Sequence, residues 1–376
     1  MYSLVTKPII KRSHHIIESD NGNICIGEIP GKAKIIKSPP EWVKVVLSKL
    51  DGEHTLPRII KELLNRNLNV EEHEVIDFIR KMISCGLVED NIISSELLTS
   101  REIELYDRQL LQFSLIDNDN LSSIKYQERL KKSRVLVLGM GGWGTWCSLQ
   151  LALIGVGTLR IVDGDVVELS NLNRQVLYTE DDIGKSKVDS AENGIYRHNK
   201  YTKIEKYFEF LIPSENRVND LLDSVDMILL AWASLGYYKK NTVEDIIHKV
   251  AIDKSIPIIE LGGDPHEISI GPIYLNNKIG KTYFDVKHQI KKTFYSDDSI
   301  VKDFQEARMK QQFLNGVRKV NAWQSSPSLA AMSGLVVDQV IKVITKYDTI
   351  SLEGRKIKIS LRDFSFAEEK LFNGDK

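Results

Sequence analysis

The residues best suited to chemistry begin with a glycine-rich turn. A continuous apolar run, Val135–Leu138, leads directly into Gly139, Gly141, Gly142 and Gly144, and a second apolar stretch follows. This order predicts a buried strand, a tight turn and a helix, and the free N–H groups at the start of such a helix favour phosphate. The pattern therefore predicts a nucleotide site, but it suits a nicotinamide cofactor and ATP equally well.

A second predicted strand, which ends in an acidic residue, strengthens this interpretation. Thr158–Val162 reads as a neighbouring strand, and Asp163 follows it directly. A carboxylate at that position can accept hydrogen bonds from ribose hydroxyls. Both a nicotinamide enzyme and an ATP enzyme fit these two strands.

The complete segment resembles the ThiF/MoeB/E1 superfamily of adenylating enzymes over about residues 101–350. Five pieces carry the resemblance: Tyr106–Gln109, Gly139–Gly144, Asp163–Asp165, Ser170–Gln175 and Gly184–Lys187. An ordinary dinucleotide enzyme has no reason to carry the N-L-N-R-Q sequence after its acidic strand end. The resemblance implies an α/β fold with a Rossmann-like core, and ATP as the nucleotide.

The resemblance also assigns roles to residues. It implies that Arg174 and Lys187 contact the phosphates, and that Arg108 reaches the triphosphate, in many family dimers from the neighbouring subunit. A homodimer is therefore expected. The expected nucleotide-binding set is Gly139, Gly141, Gly142, Gly144, Asp163, Asp165, Asn171 and Gln175.

Two departures from the family pattern concern metals. Ala233 stands where the family has an acid that helps to hold magnesium, so we predict that Asp264, after the next strand, supplies an oxygen ligand for Mg²⁺. The alternative is that Asp264 only shapes the turn before Pro265. The chain contains no CxxC pair, so zinc is not expected.

The first hundred residues predict a separate module. Short strands and a hairpin turn at Asn21–Gly22 precede three amphipathic helices. This winged-helix-like α+β order resembles the PqqD-type module, which recognises leader segments of ribosomally made precursor peptides through β-augmentation. We assign residues 1–95 to this module and 96–376 to the adenylation domain. The assigned peptide-binding residues are Ile24, Ile26, Val75 and Ile79.

Length and composition agree with this organisation. The 376 residues suffice for two domains, and the formal net charge of −1 offers no basic field for nucleic acid. The sequence shows no signal peptide and no apolar run of about 18 residues, so we expect a cytoplasmic protein without membrane contact.

The two parts together resemble the precursor-peptide-modifying enzymes of microcin C7 and pantocin A biosynthesis. We therefore predict an enzyme that activates a peptide carboxylate, by preference a Glu side chain, as an acyl-adenylate for cyclisation or dehydration. Two alternatives stay open. A non-catalytic scaffold for the leader is favoured by Ala233, and a sulfur-carrier adenylyltransferase would need a partner with a Gly-Gly tail.

Overall fold

The chain forms two compact units, described here from a computed structural model. The first comprises Met1–Arg129 with Thr345–Asp348, and the second comprises Leu130–Ile344 with Thr349–Lys376. The structure describes residues 6–66, 68–91, 95–116, 122–232, 241–263, 266–277, 280–293, 297–310, 312, 314 and 324–371.

The first unit begins with short strands followed by helices. Its strands are β1 (Pro8–Ile10), β2 (Ile16–Glu18), β3 (Ile24–Ile26), β4 (Lys34–Ile36) and β5 (Val88–Asp90). Its helices are α1 (Glu41–Lys49), α2 (Leu56–Asn65), α3 (Glu72–Ser84), α4 (Ser100–Leu105), α5 (Asp107–Ile116) and α6 (Ser123–Lys132). Only the last residues of α6 extend beyond Arg129 into the second unit.

The predicted winged-helix-like arrangement is present. Strands β2, β3 and β4 form an antiparallel sheet, and β1 pairs separately with β5. Gly22 at the hairpin turn has φ of +75°, which a glycine adopts without strain. The apolar stripes of α1, α2 and α3 bury a continuous core that starts at Ile10 and ends at Val88. The predicted boundary at residue 95 lies inside the first unit, which α4 and α5 extend.

The second unit is built on an eight-stranded sheet. Its strands are β6 (Arg134–Leu138), β7 (Thr158–Val162), β8 (Lys203–Tyr207), β9 (Met227–Leu230), β10 (Ile258–Gly263), β11 (Glu267–Tyr274), β12 (Arg355–Ser360) and β13 (Phe366–Lys370). Its helices are α7 (Gly142–Leu153), α8 (Lys187–Tyr196), α9 (Glu215–Leu221), α10 (Val243–Lys254), α11 (Tyr283–Thr293), α12 (Ser299–Met309) and α13 (Ser326–Thr345), the last of which ends at the first unit's Thr345. The strand order is β13-β12-β11-β10-β9-β6-β7-β8.

The parallel half of this sheet positions the chemistry. Strands β10, β9, β6, β7 and β8 run parallel. Strands β6 and β9 are almost completely buried because helices cover both faces of such a sheet. The ends of β6, β7 and β9 lead into Gly139, Asp163 and Ala231, which therefore meet at one edge, where open α/β sheets bind their ligands.

One described helix, α13, is long and apolar enough to cross a membrane by length and composition. Half of its apolar window is buried inside the protein, and the core helix of a globular protein passes the same test.

Candidate active site

A pocket of about 570 Å³ opens at this edge of the sheet, entirely within the second unit. Nine of the residues predicted for ATP line it: Gly139, Gly141, Gly142, Asp163, Asp165, Asn171, Arg174, Gln175 and Lys187. Segments distant in sequence therefore converge on one cavity. Such a pocket, with charged groups set into a glycine-lined wall, can hold a nucleotide.

The glycines of the turn have different tasks. Gly139 has φ of +97°, and Gly141 forms the N-cap of α7 with only Gln175 Nε2 near the position of a Cβ, at 4.0 Å. Gly144 does not line the pocket. A Cβ at Gly144 would lie 1.8 Å from the carbonyl oxygen of Gly139, so this glycine permits the close packing of turn and helix.

Asp163 organises the backbone around the turn. Its Oδ2 accepts the Met140 N–H at 2.6 Å, and its Oδ1 accepts the Asp165 N–H at 2.8 Å. Burial raises the pKa of this carboxyl, while the charge of Lys187 and the two N–H donors oppose that shift. The carboxylate is thereby held at the end of β7, facing the pocket.

Tyr178 stabilises the same glycine turn through a hydrogen bond. Its hydroxyl donates to the carbonyl of Met140 at 2.8 Å, and burial raises its pKa well above the ordinary value. The hydroxyl therefore stays a neutral donor, which fixes the glycine turn between Tyr178 and Asp163.

Lys187 is a buried cation that forms an ion pair with the carboxylate of Asp165. Its Nζ donates to Asp165 Oδ2 at 2.8 Å, and its backbone N–H donates to the Asp165 carbonyl at 3.0 Å. The residue is only 6% exposed and begins α8, with Ser186 as the N-cap. The ammonium group thus lines the pocket from a rigid helix start.

Arg174 sits on a loop that its own contacts tie down. Its Nη1 donates to the Ser170 carbonyl at 2.5 Å, and its carbonyl accepts the Trp146 indole N–H at 3.1 Å. The buried Asn171 closes the preceding turn, with its Oδ1 accepting the Glu168 N–H at 3.1 Å. These bonds fix a guanidinium group at the pocket wall.

The charged side chains of the described lining carry more negative than positive charge, which does not favour a bound phosphate. Two cations, Arg174 and Lys187, stand beside three carboxylates, Asp163, Asp165 and Glu168. Each of the three carboxylates already accepts hydrogen bonds or an ion pair within the protein. A polyphosphate in this pocket would therefore need further positive charge.

Several lining residues were not predicted from the sequence. They are Trp143, Val166, Glu168, Ser170, Ala231, Trp232, Gly263, Gln324 and Leu329. Trp143 was within reach of sequence reasoning, since it interrupts the glycine motif. Gln324 and Leu329 come from a distant segment, and only the folded chain brings them to the pocket.

Arg108 is not among the residues that line this pocket. Arg108 belongs to the first unit, at the start of α5, where its side chain is 90% exposed and its Nη1 lies 3.3 Å from Asp107 Oδ2. Asp264 and Ala233 lie outside the described residues. Among the residues that are described, no group of three or more His, Cys, Asp or Glu side chains could hold a metal ion.

The peptide-binding assignment needs correction. Ile24, Ile26, Val75 and Ile79 are all buried in the core of the first unit, so they offer no surface. The register of the small sheet explains this, because successive side chains of a strand point to opposite faces. Ile24 and Ile26 occupy the inner face of β3.

The outer face of the same sheet carries a different apolar row. Ile17 pairs with Cys25, and Cys25 pairs with Ile35, so these three side chains lie side by side. Ile35 is 67% exposed and Ile17 is 44% exposed. We call this row the hairpin face.

Family comparison agrees with both halves of this description. Residues 106–375 match the ThiF family, and residues 13–72 match the PaaA-like N-terminal domain. The chain belongs to the ThiF family. The prediction of a ThiF-type, ATP-dependent adenylating enzyme is confirmed at this level.

Solved structures extend the ThiF-family likeness over nearly the whole chain. The crystal structure of PaaA shares 48% sequence identity, covers 96% of this chain and 100% of PaaA, and has a TM-score of 0.77. Escherichia coli MccB, solved with ATP, shares 18% identity over 98% of this chain and 97% of MccB, with a TM-score of 0.69. The latter likeness concerns the fold.

The matches to curated relatives are shorter than those to the solved structures. The probable adenylyltransferase/sulfurtransferase MoeZ of Mycobacterium tuberculosis is 42% identical over 132 residues, which cover 35% of this chain and 31% of MoeZ. The adenylyltransferase and sulfurtransferase UBA4 of Debaryomyces hansenii is 37% identical over 134 residues, covering 36% and 28%. The match thus spans less than a third of each of these relatives.

Proposed function

We propose that this ThiF-family chain uses ATP to adenylate a carboxylate of a bound, ribosomally made precursor peptide. The observation that carries the proposal is one pocket that combines a glycine-lined helix start, the strand-end acid Asp163 and the cations Arg174 and Lys187. The PaaA-like domain in the same chain supports a peptide as the substrate. E. coli MccB, a structural neighbour, has been solved with the peptide MccA.

The reaction assigns a task to each group. A carboxylate oxygen of the peptide attacks the α-phosphorus of ATP, the bond to the β-phosphate oxygen breaks, and pyrophosphate leaves. Lys187 and Arg174 face the charge that builds on the phosphoryl oxygens, while Asp163 accepts the ribose hydroxyls. A nucleophile of the same peptide then attacks the acyl carbon and AMP departs, which gives a cyclised or dehydrated product.

The proposal requires further positive charge in addition to Lys187 and Arg174. The acidic excess of the described lining favours Mg²⁺ on the phosphates and a further arginine, for which Arg108 is the candidate. The carboxylates of the described lining are already engaged, so Asp264 remains the predicted protein ligand for magnesium.

The hairpin face is the proposed docking surface for the leader. An extended peptide can pair with a free edge of the β2-β3-β4 sheet, and apolar side chains can pack on Ile17 and Ile35. A modified Glu side chain, as in the pantocin-type interpretation, is the carboxylate that we favour.

Incubation with ATP and a candidate precursor peptide tests the proposal. We expect AMP, pyrophosphate and a lighter peptide from the unaltered enzyme, and each of them at a strongly reduced rate from the Lys187→Ala variant. Formation of ADP in place of AMP would contradict it. Peptide binding without any ATP consumption would support the scaffold alternative.

The sulfur-carrier alternative rests on the identity shared with MoeZ and UBA4. A protein with a Gly-Gly tail is the probe for it. Faster pyrophosphate release with that protein than with any peptide would favour this second function.

A further inference from the structure

Three consecutive residues of the first unit hold helix α5 at both of its ends. At the start of α5, Arg12 Nη2 donates to Asp107 Oδ1 at 2.6 Å. Near its end, Lys11 Nζ donates to the Ser114 carbonyl at 2.7 Å, and Ser13 Oγ lies 3.2 Å from Ser114 Oγ. A helix of ten residues is about 15 Å long, so these contacts grip it over most of its length. We call Lys11–Ser13 the clamp.

The clamp is chemically matched to the helix. The last four carbonyls of a helix have no partner within it, and a cation there also complements the helix dipole. Lys11 is only 4% exposed, and its backbone N–H donates to the Leu87 carbonyl at 3.0 Å. Its main chain is therefore fixed to the core of the module while its ammonium group caps α5.

At the other end of the clamp, Arg12 neutralises a carboxylate that lies beside Arg108. The carboxylate of Asp107 is shared, with Oδ1 on Arg12 and Oδ2 at 3.3 Å from Arg108 Nη1. A carboxylate beside Arg108 competes with any phosphate for that guanidinium group. Arg12 balances this carboxylate, so Arg108 can leave it for an anionic ligand at a lower cost.

We propose that Lys11 and Arg12 are positioning residues for Arg108. Lys11 fixes the helix that carries Arg108, and Arg12 weakens the interaction between Asp107 and Arg108. The segment joins strand β1 to strand β2 of the hairpin, so the peptide-recognition module itself prepares the arginine. This inference rests on the proposed function, in which Arg108 contacts the triphosphate.

A double-mutant cycle tests the clamp. Arg12→Ala, Arg108→Ala and the double variant are compared for ATP affinity, with Trp143 and Trp232 in the pocket as fluorescent reporters, and for peptide-dependent AMP formation. We expect Arg12→Ala to weaken ATP binding about three- to fivefold, the upper part of the range that exposed ion pairs contribute. Arg108→Ala should weaken it more, and the double variant should equal Arg108→Ala alone.

Two further variants separate positioning from general stability. Arg12→Lys keeps the charge and should retain most of the ATP affinity. Arg58→Ala removes another exposed arginine of the module, paired with Glu62 at 3.4 Å, and should change nothing. Unfolding midpoints identify any variant that is merely unstable, and the affinity of the precursor peptide should not change.

Independent, additive effects of Arg12→Ala and Arg108→Ala would overturn the proposal, as would an Arg12→Ala variant with unaltered ATP affinity. Failure of the proposed function has a different signature. An unaltered enzyme that binds ATP but forms no AMP with any peptide would refute adenylation, while the cycle on ATP affinity would still decide about the clamp.

Discussion

The nucleotide pocket and the hairpin face differ in how their side chains are prepared for a ligand. In the pocket, charged side chains are held before any ligand arrives, as the bonds of Asp163 and Lys187 demonstrate. On the hairpin face, the apolar side chains of Ile17 and Ile35 are exposed, and the sheet keeps open edges. The first arrangement lowers the cost of charge development, and the second offers surface that gains free energy only when a partner covers it. Changes in the pocket should therefore alter the chemistry, and changes on the hairpin face should alter peptide affinity.

The largest expected effect concerns Lys187. Lys187→Ala removes a preorganised cation, and losing such a group typically costs about 2.7–4 kcal/mol of transition-state stabilisation. We expect AMP formation to fall roughly 100- to 1000-fold, with unaltered affinity for the peptide. Lys185→Ala is the matched control, because Lys185 lies in the same motif but is largely exposed. Comparable losses in both variants would remove the special role of Lys187.

The glycine turn gives the next largest effect and separates packing from binding. At Gly144 a methyl group would collide with the Gly139 carbonyl, so Gly144→Ala should lower the free energy of unfolding by about 1–3 kcal/mol or more. At Gly141 the space is open toward the pocket, so Gly141→Ala should cost less than about 1 kcal/mol. Denaturant titration measures both values.

Gly141→Ala should instead weaken ATP binding, because its methyl group stands at the helix start that receives phosphate. The reverse pattern, with a stable Gly144→Ala variant and an unstable Gly141→Ala variant, would contradict the described turn.

The hairpin face gives the smallest of these effects. Ile35→Ser removes an apolar side chain that a bound leader would cover, and we expect about tenfold weaker peptide binding with unchanged ATP affinity. Ile300→Ser is a close control, since Ile300 on α12 is also 67% exposed. Equal peptide affinity in the two variants would place the leader on another surface.

The sequence was informative where residue type alone carries meaning. Asp163, Arg174 and Lys187 each have a distinct chemistry and a fixed spacing, and the structure brings them to one pocket. Strand β6 was evident from its continuous apolar run. The match to the ThiF family confirms the class of the core.

The sequence was less informative where the decision depends on register. Ile24 and Ile26 were chosen for the peptide surface, but a shift by one residue moves a strand's side chains to the other face. Only the pairing of Cys25 with Ile17 and Ile35 identifies the outer row. Trp232 and Gln324 likewise reach the pocket through tertiary packing that no local pattern announces.

The most direct test of the central claim follows an oxygen atom. Candidate precursor peptides are synthesised, labelled with ¹⁸O in their carboxylates and incubated with the enzyme and ATP. Because a carboxylate oxygen attacks the α-phosphorus and stays there when the acyl group is captured, we predict AMP that carries one ¹⁸O atom. Product formation with unlabelled AMP, or with the label in inorganic phosphate beside ADP, would contradict adenylation of the peptide.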